Sequence, residues 1–385
     1  MKSVNKIKIG DFCKTGSGGT PSRSNTAFFQ NGTVPWVKSG ELKNRFVTEV
    51  EEYITEEAIK KSSAKIVPKN SLLLAMYGAT VGEVSQLIFD ATTNQAICNI
   101  LPDSKICDVN YLYRYLQFSK PLLLNRRVGG GQPNISQGVI KDLEVPLPPL
   151  PEQKRIAQIL DKADELRQKR QQSIEKLDEL LQATFIDMFG DPITNPKGWE
   201  ICEVGKVTDC IVPARDKPKS FTGDIPWITT DDLNHLGFTE TSKKNIGLTN
   251  EEITLAKARL IPKNSVVISC VGNLGLASIA SDNFVMNQQL HSFQCGDKIL
   301  PEFLIFCLPF QKGYMLSRAT STTVPYMNKS VCNSIPVTVP PLDLQKKWKL
   351  IFENSNKQKQ VLKKQLAQQE NLFQSLQQRA FNGEL

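Results

Sequence analysis

The chain has 385 residues, of which 40% are hydrophobic, 8% aromatic and 22% charged, and this balance excludes a collagen-like, wholly disordered or disulfide-scaffold protein. Its length exceeds what one hydrophobic core organises, so two or three domains are expected at about 150 residues each. With 47 Lys and Arg against 39 Asp and Glu the net charge is +8, which admits a polyanionic partner without requiring one.

At the N-terminal end, Met1 to Phe12 alternates Lys with Val and Ile and builds no apolar signal-peptide region. The longest apolar runs, Ser71 to Met76 and Ser265 to Val271, fall far short of the roughly 20 residues that span a bilayer. Nine Cys, an odd number with no CxxC pair, point to a reduced, cytoplasmic chain. His235 and His291 are the two histidines and the cysteines are scattered, so no metal site is expected.

Residues 1–150 mix short Val- and Ile-rich runs with Gly, Pro and Asn punctuation, the pattern of short strands, loops and a few helices in a mixed α/β module. After Leu147-Pro148-Pro149-Leu150, Gly and Pro vanish and charged and amide residues alternate with spaced apolar ones. A long helix is predicted from about Glu152 to about Phe189, with a seam of Ile156, Ile159, Ala163, Leu166, Arg170, Leu177, Leu180 and Thr184. A second mixed module follows over 192–341. A second helix over 342–385 has a looser seam of Trp348, Ile351, Ser355, Leu362, Leu366, Phe373 and Leu376.

The two halves are copies. Gly32-Thr33-Val34-Pro35-Trp36-Val37 returns as Gly223-Asp224-Ile225-Pro226-Trp227-Ile228, and Val67-Pro68-Lys69-Asn70-Ser71 as Ile261-Pro262-Lys263-Asn264-Ser265. Asn94-Gln95 returns as Asn287-Gln288, and Leu147-Pro148-Pro149-Leu150 as Val339-Pro340-Pro341-Leu342, with Gln153 or Gln345 close behind. Collinear matches at nearly one offset identify a tandem duplication. The expected architecture is therefore two globular modules (1–150 and 192–341) in pseudo-two-fold repeat, separated by helical spacers (151–191 and 342–385). An apolar stripe on a charged helix also suits core packing or a homo-oligomer seam, but the duplication supplies each spacer with a partner in the same chain. The two are expected to pair as an antiparallel coiled coil, a rod of about 54 Å if about 36 residues are helical.

The common catalytic constellations are missing. Gly129-Gly130-Gly131 is followed by Gln132-Pro133 and makes no phosphate loop, and Asn195-Pro196-Lys197-Gly198-Trp199 is not the Asn-Pro-Pro-aromatic element of amino-methyltransferases. Glu152-Gln153-Lys154 stands at a helix entrance, where an acidic residue serves the helix dipole. Binding side chains are better represented. Loops between the anchors carry Thr20, Arg23, Ser24, Lys38, Ser39, Lys43, Tyr77, Arg126, Arg127, Gln132 and Asn134 in the first copy. The second carries Arg215, Lys217, Lys219, Thr229, Thr230, Asn273, Arg318, Thr322, Tyr326, Asn328 and Lys329. These are the side chains that bond phosphates and base edges, and two modules with divergent polar loops read as two DNA readers. Trp36 and Trp227, inside apolar Pro-Trp-Val/Ile contexts, are expected in the core. The repeated Asn-Gln pairs suit either adenine recognition or backbone bonding in a turn, and are left open.

In this order, Gly16-Ser17-Gly18-Gly19-Thr20-Pro21-Ser22, Val34-Pro35-Trp36-Val37, Gly129-Gly130-Gly131-Gln132-Pro133-Asn134-Ile135, Leu147-Pro148-Pro149-Leu150-Pro151-Glu152-Gln153 and Arg379-Ala380-Phe381-Asn382-Gly383-Glu384-Leu385 resemble the specificity subunits of type I restriction-modification systems along essentially the whole chain. The resemblance implies two target recognition domains, each reading one half of a bipartite DNA site, and helical spacers that act as ruler and as docking surface for methyltransferase subunits. It implies a non-catalytic chain with no cofactor of its own. S-adenosylmethionine would belong to the methyltransferase subunits, and ATP and Mg to a motor-nuclease subunit. The second copy departs from the pattern: Val212-Pro213-Ala214-Arg215-Asp216 replaces the Gly-Gly-Thr-Pro-Ser element, and Asp343-Leu344-Gln345 replaces Pro151-Glu152-Gln153. Different loops imply an asymmetric target. Two rivals remain, the specificity portion of a fused restriction-methylation enzyme, which needs a catalytic domain before Met1 that is not expected, and a structural coiled-coil scaffold.

Overall fold

The short apolar runs of both copies become strands of two to six residues, and the two proline-marked stretches become helices of 40 and 41 residues. The computed structural model describes residues 5–127, 134–214, 217–320 and 323–385, which fall into two units, 1–169 with 366–385, and 170–365.

In the first unit the strands are β1 (Lys6–Lys8), β2 (Cys13–Ser17), β3 (Val34–Val37), β4 (Phe46–Val47), β5 (Tyr53–Ile54), β6 (Leu72–Ala75), β7 (Val84–Leu87), β8 (Thr92–Thr93), β9 (Ile97–Pro102) and β10 (Glu144–Pro146). The helices are α1 (Ile9–Phe12), α2 (Glu56–Lys61), α3 (Val109–Phe118), α4 (Lys120–Asn125), α5 (Gln137–Lys141) and the first half of α6 (Leu150–Phe189). A five-stranded sheet runs β2-β9-β6-β7-β4, a three-stranded one β5-β3-β8, and β1 pairs with β10. Central β6 is buried along its whole length, which is why Leu72-Leu73-Leu74-Ala75 does not alternate with polar residues.

The second unit adds β11 (Glu200–Glu203), β12 (Thr208–Ile211), β13 (Ile225–Ile228), β14 (Phe238–Thr239), β15 (Gly247–Leu248), β16 (Leu260–Ile261), β17 (Val266–Ser269), β18 (Ala277–Ala280), β19 (Phe284–Met286), β20 (Leu290–Cys295) and β21 (Pro336–Val339). Its helices are the rest of α6, α7 (Asn250–Leu255), α8 (Pro301–Phe310), α9 (Lys312–Arg318), α10 (Lys329–Asn333) and the start of α11 (Leu342–Asn382). The order β12-β20-β17-β18-β14 repeats the first five-stranded sheet, β15-β13-β19-β16 repeats the smaller one with an added strand, and β11 pairs with β21.

The repeated sequence anchors acquire physical reasons. Pro68-Lys69-Asn70-Ser71 and Pro262-Lys263-Asn264-Ser265 are tight turns in which Asn70 and Asn264 adopt φ of 68° and 65°, a left-handed conformation that Asn tolerates. Trp36 and Trp227 are buried in the cores, and the Trp36 indole donates to the Gly19 carbonyl at 3.0 Å. The glutamine of each Pro-Pro-Leu element is a buried bracket. Gln153 accepts from the Asp108 amide and donates to the carbonyls of Ile106 and Pro148; Gln345 accepts from the Leu300 amide and donates to those of Lys298 and Pro340. One side chain thereby fastens the entrance of each long helix to the module before it.

Within each unit, stretches of α6 and α11 run antiparallel. In the first, Arg155 donates to the Leu385 carbonyl at 2.8 Å and the Arg167 guanidinium lies 4.8 Å from the Phe373 ring centre. In the second, Lys359 bridges Asp178 and Trp348 packs on Phe185 and Phe189. The buried stripe keeps Ile156, Trp348 and Phe373 of the expected seams and departs from them elsewhere. Leu160, Asp164, Ile174, Leu181, Phe185 and Phe352 are buried, whereas Leu166, Leu180 and Ile351 are exposed. The helices face a globular module as well as each other, so the buried stripe follows a wider, 3.6-residue period and not a strict heptad.

Candidate nucleic-acid interface

In the first unit the Asn94-Gln95 pair opens a β-turn. The Ile97 amide donates to the Asn94 carbonyl at 3.2 Å, the Asn94 amide to Val37 at 2.9 Å, and the Met76 amide to the Ala96 carbonyl at 2.8 Å. Two neighbouring segments thus hold the turn, and Gln95 projects from it exposed. The Gly-Gly stretch lies against it. The Gly18 amide donates to Ile97 and the Gly19 amide to Thr93, at 3.1 and 2.8 Å, and a Cβ on Gly18 would meet the Asn94 and Thr93 carbonyls at 2.2 Å. Glycine is required there for close approach. Thr20 then donates to the Gln95 carboxamide oxygen, and Tyr77 lies close to the same carboxamide. Burial pushes the Tyr77 phenol upward in pKa, with the nearby Gln95 carboxamide opposing it.

Of the other loop residues predicted here, Arg23 and Lys38 converge on one carboxylate. Arg23 grips Glu52 through both terminal nitrogens at 2.6 and 3.0 Å and lies over the rings of Phe29 and Trp36, while Lys38 reaches Glu51 and Glu52 at 2.6 and 2.9 Å. The Arg23 bonds, followed by those from Lys38, hold the Glu52 carboxyl down at about 2, against the opposing effect of burial. Ser24 bonds Ser22, the Ser39 carbonyl accepts from Thr80, and Lys43 is exposed. Arg126 and Arg127 are exposed just beyond α4, with Arg127 Nε donating to the Leu124 carbonyl, and Asn134 is exposed beside buried Ile135. Gln132 lies outside the described residues, as do Arg215 and Thr322 of the second copy.

The second unit repeats the turn. The Leu290 amide donates to Asn287 at 3.2 Å, that of Asn287 to Ile228 at 2.9 Å, and that of Cys270 to Gln289 at 2.8 Å. Exposed Gln288 donates to the Ala214 carbonyl at 3.3 Å. A cleft of about 700 Å³ opens beside it, lined among others by Ala214, Val271, Gln288, His291, Tyr326 and Lys329. Burial presses His291 down to about 4, the Lys329 charge acting in the same direction and a bond to Asn333 against both. Thr230 donates to Gln289 at 3.4 Å, and Asn273 accepts from Lys312 at 3.0 Å. Tyr326 and Lys329 are exposed, as are Lys217, Lys219 and Arg318, the last over the Tyr314 ring. Two predicted contacts serve local structure: Thr229 bonds Asp232 in a capping box, and Asn328 caps α10 by accepting from the Val331 amide at 2.9 Å. Both signals, Thr-x-x-Asp and an Asn three residues before Val331, stand in the sequence.

The structure therefore brings Thr20 and Tyr77 together around Gln95, and Tyr326 and Lys329 into the Gln288 cleft. Arg126, Arg127, Lys217, Lys219 and Arg318 supply exposed positive charge. The glutamines themselves were left open by sequence reasoning, although their recurrence was the available signal.

A family model for the type I restriction modification DNA specificity domain matches residues 1–176 and again 196–370. The chain is 32% identical over 182 residues to the type I restriction enzyme EcoR124I/EcoR124II specificity subunit of Escherichia coli, a match covering 46% of this chain and 45% of that one. It is 26% identical over 391 residues to the MjaIX specificity subunit of Methanocaldococcus jannaschii, covering 93% of this chain and 89% of that one. In fold it is similar to the S subunit of a type I restriction-modification system from M. genitalium, with TM-score 0.61 and 17% identity over 99% of this chain and 97% of that one. A chain from a type I R-M system, solved for its assembly and conformational transition, gives TM-score 0.60 at 16% identity, covering 99% of this chain and 98% of that one. No helix among the described residues is long and apolar enough to cross a membrane. With two family matches on two modules of the same sheet order, the chain belongs to the type I restriction modification DNA specificity domain family and carries that domain twice in tandem.

Proposed function

We propose that this chain is the sequence-specific, non-catalytic DNA-binding subunit of a cytoplasmic type I restriction-modification complex, each module reading one half of a bipartite, asymmetric duplex site. The observation that carries this reading is one sheet order presented twice under different loop side chains. In it, the rigid modules place polar side chains at base edges, and exposed Arg and Lys contact phosphates. At about 1.5 Å per residue the 40-residue α6 is about 60 Å long, and we assign α6 and α11 the task of fixing the gap between half-sites. Their exposed flanks would dock methyltransferase subunits, with a motor-nuclease subunit completing the complex. S-adenosylmethionine, ATP and Mg would be held by those partners, this chain contributing none.

The test is binding of the purified chain, with its methyltransferase subunits, to random-sequence and cognate duplexes at graded salt. Replacing Arg126 and Arg127 together by Ala should weaken binding to all sequences alike and flatten the log–log salt slope by about 2. Full affinity with an unaltered slope would remove that loop from the DNA surface. Shortening α6 by whole turns should change the preferred gap between half-sites, and an unchanged gap would reject the ruler.

A further inference from the structure

Both modules expose a glutamine from the same turn. Gln95 and Gln288 are the second residues of turns closed at 3.2 Å, and each turn is also tied by its first and third residues to two neighbouring segments. Such a turn cannot rotate away from what it meets, so its side chain is presented by the scaffold and not by a flexible loop. Exposure leaves the glutamines little packing role, since an exposed amide contributes little to a core. The surroundings orient the carboxamide. Gln95 accepts from Thr20, and a carboxamide has two N–H groups and two oxygen lone pairs, so one lone pair and the N–H groups remain for a ligand. Gln288 is held instead through the Ala214 carbonyl, and both residues line the cleft. The amide is the same, but the neighbours that hold it differ between the copies.

We propose that Gln95 and Gln288 are base-reading side chains, one per module, whose carboxamides are matched to the N6 amino group and N7 of adenine in the major groove. This rests on the DNA-reading function proposed above. The differing neighbours then set the bases on either side, which lets one fold read two half-sites.

The experiment is selection from a random duplex library by the full chain with its methyltransferase subunits, comparing wild type, Gln95→Ala, Gln288→Ala and Gln95→Glu. Gln95→Ala should lower discrimination at one position of one half-site by about 5- to 150-fold, and Gln288→Ala should do so in the other half-site only. Gln95→Glu should move that preference toward cytosine, whose amino group a carboxylate accepts. In the alanine variants the salt slope should not change, because losing a neutral amide alters no counterion release. If wild type selects a motif and both alanine variants select the same motif unaltered, the assignment of the turn is overturned while the DNA reading stands. Relaxation at every position together with a lowered melting temperature would make the turn a folding element and overturn it equally. If wild type selects no motif, the DNA reading itself falls.

Discussion

The two places where a long helix meets its module share one backbone plan and differ in chemistry. In the first unit the junction is ionic: Arg114, its side chain only 2% exposed, donates to Asp161 and Asp164 at 2.8 and 2.9 Å, and Arg45 and Arg167 close the network at 2.8 Å each. The second unit keeps one ion pair, Lys349 to Glu302 at 2.8 Å, and builds the rest from aromatic side chains. Trp348 lies within 4.9 to 6.5 Å of the rings of Phe185, Phe189, Phe306 and Phe352, and its indole donates to the Glu302 carbonyl. A duplicated fold therefore constrains where the helix lands and leaves open what holds it there. A network of hydrogen-bonded ion pairs gives the first junction a specific register, whereas the second rests mainly on buried area and ring contacts, which are more tolerant of small shifts.

Breaking this contrast should start with the aromatic side. Trp348→Ala should destabilise the second unit by about 3–5 kcal/mol, seen as faster amide exchange in α8 and the start of α11, with first-unit peptides unaltered. Equal loss in both units would mean that the junctions are not independent. Arg114→Met should lower first-unit stability by about 3 kcal/mol, because Asp164 keeps Arg167 and Gln168 but loses its buried partner. A stability gain on denaturant titration would show that the network is a burden which packing can replace.

Acid should separate the units next. His291 belongs to the second unit, and its first-copy counterpart in the repeat is Cys98. Its folded pKa of about 4 lies below the ordinary 6.5, so the folded state resists protonation. Its contribution is complete above pH 6.5 and is lost as pH falls toward 4, by up to about 3 kcal/mol. A His291→Gln variant should flatten that part of the second unit's pH profile, and an unflattened profile would assign the acid sensitivity elsewhere. The smallest effect sharpens what the junctions share. Gln153→Ala and Gln345→Ala each strand buried backbone groups and should cost about 1–3 kcal/mol in their own units, by similar amounts. Clearly unequal losses on denaturant titration would show that the two brackets are not equivalent.

The sequence made the duplication, the long helices and the core tryptophans legible because each rests on local pattern: repeat offset, proline punctuation, apolar spacing. What stayed hidden depends on partners distant along the chain. Arg23 and Lys38 look like free cations until Glu52, 29 and 14 residues away, is folded onto them. Gln153 and Gln345 read as markers of the repeat, yet each is a three-bond bracket whose partners include backbone 45 residues or more upstream. Part of the helix seam was displaced because periodicity names a stripe without saying how many surfaces it faces.

The first unit is closed by residues 366–385, and Phe381 packs on Tyr111, Tyr115 and Phe118 at 5.0 to 5.6 Å. During synthesis these residues appear only after all of 170–365. The module made first is thus completed last, and its aromatic seat stands open through the whole translation of the second. At about 5–20 residues per second that interval is on the order of ten seconds or more, long enough for the second unit to fold first and for a chaperone to cover the waiting surface.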